Sequence, residues 1–348
     1  MSFTRLDATD FVISADSVTA PAWSNNAPTL INFYTSSGVA EGDISSSYYF
    51  DIYNGDPSSA NSSVQFSVAY GHIAGSGSAP INSLVAGNTP TRIDFGQFRN
   101  LIYGDAETSV NFGAGNSAAV DLIAIQVDRN RYKESLFPGT FNLRLSGSVY
   151  LNLTDNSNQV TTINYVDGGR AFDIISGSNG VATTSTAPTG APAKGYTASG
   201  SYGLYLPDIG LILLNPAALS LSAANGGVGL ALSSGVTTAT SFSNNKLVYN
   251  LINNGANFTL NSQETISSNY VFVRVKSQEY NYTTNPSIFT SSSNGEFIYS
   301  NFINSPQTFP TTVGMFNDNN ELLAVAKLSK PLTKDFTKEA LIRVKLDW

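Results

Sequence analysis

Tyr270-Val271-Phe272-Val273-Arg274-Val275-Lys276 and Ala340-Leu341-Ile342-Arg343-Val344-Lys345-Leu346-Asp347-Trp348 decide the fold class. The first puts Val271, Val273 and Val275 on one face. The second puts Ile342, Val344, Leu346 and Trp348 on one side and Arg343, Lys345 and Asp347 on the other. Period-two alternation marks strands buried on one face. Between them, Pro310 to Asn317 and Glu321 to Leu328 are apolar runs joined by the polar turn Asn317-Asp318-Asn319-Asn320. Asn and Asp tolerate the left-handed backbone of tight connections, so this pair reads as a hairpin. The expectation is a small antiparallel sheet whose final strand is also the end of the chain. A bulky Trp at the last position implies that this end is tied in.

The same logic extends over the rest of the chain. Leu30 to Thr35, Tyr48 to Tyr53, Val64 to Tyr70, Asp121 to Val127, Phe141 to Leu145 and Phe172 to Ile175 read as strands. Asn54-Gly55-Asp56-Pro57 and Pro138-Gly139 read as turns. Val149 to Leu153 and Val160 to Val166 flank Asp155-Asn156-Ser157-Asn158 and form a second hairpin candidate. Phe95, Phe98 and Leu101, at threefold spacing, permit a helical turn within Arg92 to Tyr103. Asn215-Pro216 starts a short helix, with a capping residue before Pro at the first helical position. Lys246 to Ile252 reads as another, ended by Asn253-Asn254-Gly255. The fold expected is mostly β, an antiparallel sandwich or barrel-like body with few short helices and a C-terminal antiparallel sheet module. The division is placed at residues 1–265 and 266–348. Thr183 to Ser201, low in complexity, is a linker or a long surface loop.

Composition narrows the function. The 348 residues are 41% apolar and only 12% charged, with 17 Tyr and 20 Phe. An average soluble domain carries about 25% charged residues. A surface this poor in ions and rich in aromatics is typical of interfaces, which are depleted in Lys, Glu and Asp. The net charge of −7 is uneven: residues 270–348 hold 8 Lys/Arg and 7 Asp/Glu, while 1–269 hold 10 and 18. No basic patch argues for nucleic acid; Lys327 to Lys338 reads as a solvated turn. There is no Cys, which excludes disulfides, thiolate metal sites and Cys nucleophiles. No apolar signal core or membrane-length run occurs. A soluble protein made in a cytoplasm is expected, without cofactor, metal or membrane partner.

His72 is the only histidine, so any His-based acid–base scheme runs through it, yet no Gly-x-Ser-x-Gly elbow accompanies it. It reads as a surface or hydrogen-bonding group. The oxygen-rich turns at 155–158 and 317–320 lack the Glu and Gly spacing of an EF-hand and read as hairpin turns. Asp51, Asp94, Asp105, Glu107 and Asp208 lie near aromatics, but two carboxylates across a cleft are not legible from sequence. The Gly-rich pieces at 75–77, 168–169 and 177–180 match no phosphate loop. Tyr48-Tyr49-Phe50 and Tyr280-Asn281-Tyr282 suit a core, a subunit contact or a sugar platform. No residue is assigned to catalysis.

The strings Val271 to Lys276, Tyr280 to Ser287, Val313 to Asp318 and Leu322 to Leu332 together resemble a C-terminal block of virion structural proteins. These belong to contractile-tailed bacteriophages, notably of marine and cyanobacterial hosts. The resemblance covers the last quarter of the chain and carries no catalytic motif. It implies a non-enzymatic virion component in a tail or baseplate, a symmetric homo-oligomer that joins other virion proteins through sheet edges and aromatic faces. The alternatives are a receptor- or carbohydrate-binding module of a tail, with a host glycan on the loops at 74–90 and 183–201, or a head or neck decoration protein. A polysaccharide depolymerase is the third reading. Candidate interface residues are Leu341, Val344, Leu346, Trp348, Phe316 and Leu323.

Overall fold

A computed structural model describes residues 3–35, 49–81, 88–113, 118–236, 242–282, 286–290, 295–299 and 301–347. In chain order the first strands are β1 (Phe11–Pro21), β2 (Thr29–Leu30), β3 (Tyr49–Tyr53), β4 (Val64–His72) and β5 (Asp121–Val127). Next come β6 (Ser135–Leu136), β7 (Asn142–Ser146), β8 (Tyr150–Asp155), β9 (Asn164–Val166), β10 (Gly169–Ser178) and β11 (Val181–Ala182). The rest are β12 (Gly203–Leu206), β13 (Leu211–Leu214), β14 (Asn257–Thr259), β15 (Asn261–Val275), β16 (Thr312–Phe316), β17 (Leu322–Lys327) and β18 (Ala340–Asp347). The α-helices are α1 (Pro90–Tyr103), α2 (Pro216–Leu219), α3 (Ser243–Gly255) and α4 (Asn301–Asn304). The protein is mostly antiparallel β, as expected, with a large curled, barrel-like sheet and a small C-terminal one.

The chain divides into two compact units. One is continuous, Val18–Glu264. The other joins Met1–Ser17 to Thr265–Trp348, so the first 17 residues fall with the C-terminal part rather than with 18–264.

In the larger unit the sheet order is β2-β14-β7-β8-β10-β12-β13-β5-β4-β3, with β9 and β11 added to β10. The two ends of this order meet. Tyr34, just past β2, exchanges both backbone hydrogen bonds with Tyr53 at the end of β3, at 3.2 and 2.8 Å. That bridge helps close the curl and shields sheet edges.

Alternation sorts the side chains into two cores. Ile123, Ile125 and Val127 of β5, with Ile212 and Leu214 of β13, join the main core. Leu122, Ala124, Leu211 and Leu213 face a second core capped by Phe95 and Ile102 of α1. Being covered on both sides, β13 needs apolar residues at every position, and its four are all buried. Trp23 anchors the main core. Its Nε1 donates to the Phe258 carbonyl at 2.7 Å, and its ring packs on Phe66 and Phe258. Gly71 lets α1 approach β4, since a Cβ there would stand 2.7 Å from the Phe95 nitrogen.

Several expectations are corrected. The strand expected at Leu30 to Thr35 shrinks to β2 and the Tyr34 bridge. The ambiguous Arg92 to Tyr103 lies in a 14-residue helix that begins at Pro90, with Thr89 Oγ1 accepting from Arg92 N–H. The helix expected at Lys246 to Ile252 runs from Ser243 to Gly255 and absorbs the proposed stop.

The hairpin expected across residues 155–158 does not form. β8 pairs with β7 and β10, and β9 pairs with β10. The Asp155 carboxylate accepts from Gly139 and Ser157 N–H, and Asn156 Oδ1 from Asp173 N–H. The turn residues are thus committed to neighbours, and the tight connection is Asp167-Gly168, a strong hairpin pair.

The low-complexity 183–201 segment is a packed loop of the larger unit. Thr197 and Ser201 are fully buried, and the Tyr196 hydroxyl donates to Asp173 at 2.9 Å.

Candidate assembly surface

In the unit built from Met1–Ser17 and Thr265–Trp348, the described residues bury three apolar side chains: Val271, Val275 and Val344. Both hydrophobic clusters lie within the other unit. Among the described residues of this unit apolar burial is confined to these three valines, and small domains rely on every buried side chain.

The strongest order in this unit is the β15–β18 ribbon. Eight antiparallel pairs run from Ser268↔Asp347 to Val275↔Ala340. Val271↔Val344 and Val273↔Ile342 share its covered face. On the opposite face the ions are matched locally. Ser268 Oγ donates to Asp347 Oδ1 at 2.7 Å, and Lys345 Nζ lies 3.0 Å from the same oxygen. These bonds hold the Asp347 carboxyl below its usual range. Arg343 and Lys345 stand over the Tyr270 ring at 5.4 and 6.0 Å. Arg274 Nε donates to Asp10 at 3.0 Å.

A buried lysine ties this ribbon to the following segment. Lys334 is fully covered, and its Nζ donates to the Ser277 carbonyl (2.8 Å), Asn281 Oδ1 (2.7 Å) and the Asp335 carbonyl (2.9 Å). All three ammonium protons are placed, which offsets the large desolvation cost of a buried charge. Its backbone exchanges two 2.9 Å bonds with Thr308, where the ladder leading into the β16–β17 hairpin begins.

The hairpin itself forms as expected, Thr312↔Lys327 to Phe316↔Leu322, with a bulge after Met315 that makes Leu323 the extra residue. It is a separate two-stranded sheet and contains no fully buried residue. Phe316, Leu322 and Val325 are 40, 55 and 58% exposed, and Leu323 68%. Phe3 packs edge-on to Phe316 with ring centres 5.1 Å apart and is itself 59% exposed. A lone two-stranded hairpin is at best marginal in water. Exposed apolar faces of this kind mark contact surfaces.

The chemically suggestive groups of the larger unit are occupied structurally. His72 Nδ1 accepts from Ala74 and Ser76 N–H, and burial lowers its pKa. Asp208 pairs with Arg170, Nε to Oδ1 at 2.9 Å. Burial works to raise that carboxyl, but the bonds and charge of Arg170 hold it below its usual range. Asp51 accepts from Ser67 Oγ, and Asp105 caps its own turn through Glu107 and Thr108. Burial pushes Asp94 up to about 7 and Asp121, which accepts from the Tyr70 hydroxyl, up to about 6. A cavity of about 530 Å³ lies beside Phe112, Asp121 and Asn215. No group of three or more His, Cys, Asp or Glu among the described residues is placed to hold a metal. No helix among them is long and apolar enough to cross a membrane.

Of the residues singled out from sequence, Phe316 and Leu323 fall on the exposed hairpin. Leu341 is 62% exposed on the charged face of β18. Val344 is buried beside its cross-strand partner Val271, so it supports the ribbon rather than lining a surface. Leu346 is half-buried, and Trp348 lies outside the described residues. Reasoning from sequence missed Lys334 and Phe3. A lysine four residues past Lys330 in a Pro- and Thr-containing loop gave no sign of burial. Comparison with known proteins gives no match: no family model, no curated protein and no solved structure is similar to this chain.

Proposed function

We propose that this chain is a non-enzymatic structural component of a contractile phage particle, in the tail or baseplate, and that it works as a symmetric homo-oligomer joined to other virion proteins. The observation that carries the assembly reading is the Met1–Ser17 plus Thr265–Trp348 unit. Its described residues bury three apolar side chains, while Phe316, Leu322, Leu323 and Val325 stand open to solvent. Such a unit gains its missing core from neighbours, as obligate subunits do. The virion reading rests on the resemblance of Val271 to Lys276, Tyr280 to Ser287, Val313 to Asp318 and Leu322 to Leu332 to the C-terminal block of such proteins.

The test is to purify particles from infected host cells through a density gradient, quantify the chain in them and locate it by electron microscopy with a labelled antibody. A fixed copy number at the tail or baseplate is expected. Absence from purified particles overturns the proposal.

A further inference from the structure

Resting on the homo-oligomer reading, we propose that the β16–β17 hairpin is the contact between two copies of this chain. The two hairpins meet face to face about a two-fold axis, running antiparallel. The first reason is the asymmetry of protection within the unit. The exposed face of β18 carries Arg343, Lys345 and Asp347, and charges on an edge strand deter pairing with another chain. Between Thr311 and Ala326 the only charged residues are Asp318 and Glu321, both at the turn. Nothing guards the apolar stretch between the turn and Lys327.

Its shape fits the same end. Phe316 leans over Gly314, where a Cβ would stand 3.0 Å from Phe316 Cε2 and 3.5 Å from Leu322 Cδ1. Phe316 and Leu322 at the turn end, Val325 at the middle pair and the supporting Phe3 ring thereby form one apolar patch along this face of the hairpin.

Charge decides the occupant and its direction. The turn end bears Asp318 and Glu321, and the open end bears Lys327 and Lys330, all exposed. Among the described residues neither lysine forms an ion pair within the chain. A strand of five or six residues separates the two ends by roughly 17–20 Å, more than twice the screening length of about 8 Å at physiological salt. The ends therefore do not satisfy each other within one hairpin. A second copy turned by two-fold symmetry places its Lys327 and Lys330 beside Asp318 and Glu321 of the first, twice over. Copies stacked in the same direction set like charges side by side. A patch that the fold cannot leave bare needs a partner present whenever the chain is made, which its own copy is.

The test uses the full chain and sedimentation velocity. One variant, Asp318→Lys with Glu321→Gln, makes the turn end basic and keeps an acceptor for the Asn317 side chain. The other, Lys327→Glu with Lys330→Glu, makes the open end acidic. Each alone is expected to weaken self-association about tenfold or more, and an equimolar mixture to restore it as a heteromer. Circular dichroism of each variant should match the parent, since all four side chains are exposed. Variants that associate as tightly as the parent, or a mixture that fails to restore association, overturn the hairpin contact. A parent chain that is monomeric throughout overturns the homo-oligomer reading with it. An oligomer indifferent to these changes overturns the hairpin contact alone.

Discussion

Lys334 Nζ donates to Asn281 Oδ1 across 2.7 Å, with both residues out of solvent. Among the described residues no carboxylate forms an ion pair with this lysine; two backbone carbonyls complete its set. The pair links the segment after β15 to the strand-like return at Thr308. In a unit whose described residues bury three valines, this polar knot is a main fixed point.

Lys334→Met keeps the bulk of the stem and strands three acceptors. A loss of about 3 kcal/mol is expected. The readout is hydrogen exchange at the Thr308 and Lys334 amides, which bond to each other's carbonyls. They should exchange far faster in the variant, while amides of β5 and β13 stay protected. Unchanged exchange would show that Lys334 is dispensable.

Asp94 is buried on α1 with its pKa raised to about 7. A carboxyl raised above its unfolded value contributes stability that is full below the unfolded pKa and lost as pH rises through the folded one. Between pH 5 and 7 that loss is on the order of 2 kcal/mol. Asp94→Asn removes the titration, so thermal unfolding of the variant should vary less over this range than that of the parent. His72 acts in the opposite sense. Its pKa is lowered, and its stabilising contribution fades as pH falls below the unfolded value. Identical pH profiles for parent and Asp94→Asn would contradict the burial of this group.

Gly255 closes α3 against β7. A Cβ there would stand 1.8 Å from the Arg144 carbonyl oxygen, and Arg144 Nε already donates to the Gly255 carbonyl at 2.6 Å. The obstacle is backbone, so the helix must move. Gly255→Ala should destabilise the larger unit by on the order of 3 kcal/mol, measured as a lower denaturant midpoint. A midpoint within experimental error of the parent would refute this packing.

Tyr196→Phe tests whether residues 183–201 belong to the fold. It removes the bond to Asp173 and the one from Asn156 Nδ2 at 3.1 Å. A loss of about 1–2 kcal/mol and faster proteolysis at Lys194 are expected. A parent chain already cut rapidly at Lys194 would mean a loose linker instead.

Much of the β framework was legible because alternation survives wherever one face is covered. β4, β16, β17 and β18 follow their apolar spacing. Partners were less legible. β8 looked joined to β9 because polar residues lie between them, yet Asp155 and Asn156 serve other strands, and Asp167-Gly168 makes the turn. α1 was obscured because Gly96 and Arg99 interrupt its apolar spacing, although Thr89-Pro90 carries a proper helix start. At the candidate surface, Phe316 and Leu323 were accessible from the pattern. The bareness of their hairpin was not, since an apolar run reads the same whether a core covers it or water does. Val344 shows the converse: it suited an interface by type and is buried beside Val271.

The central claim is that the Met1–Ser17 plus Thr265–Trp348 unit needs other copies to be stable. It is tested most directly by following molar mass by sedimentation and protection of the β16–β17 amides together over a range of protein concentration. The account predicts an oligomer whose dilution to monomer exposes those amides to fast exchange. A monomer at every concentration, with the hairpin fully protected, would contradict it.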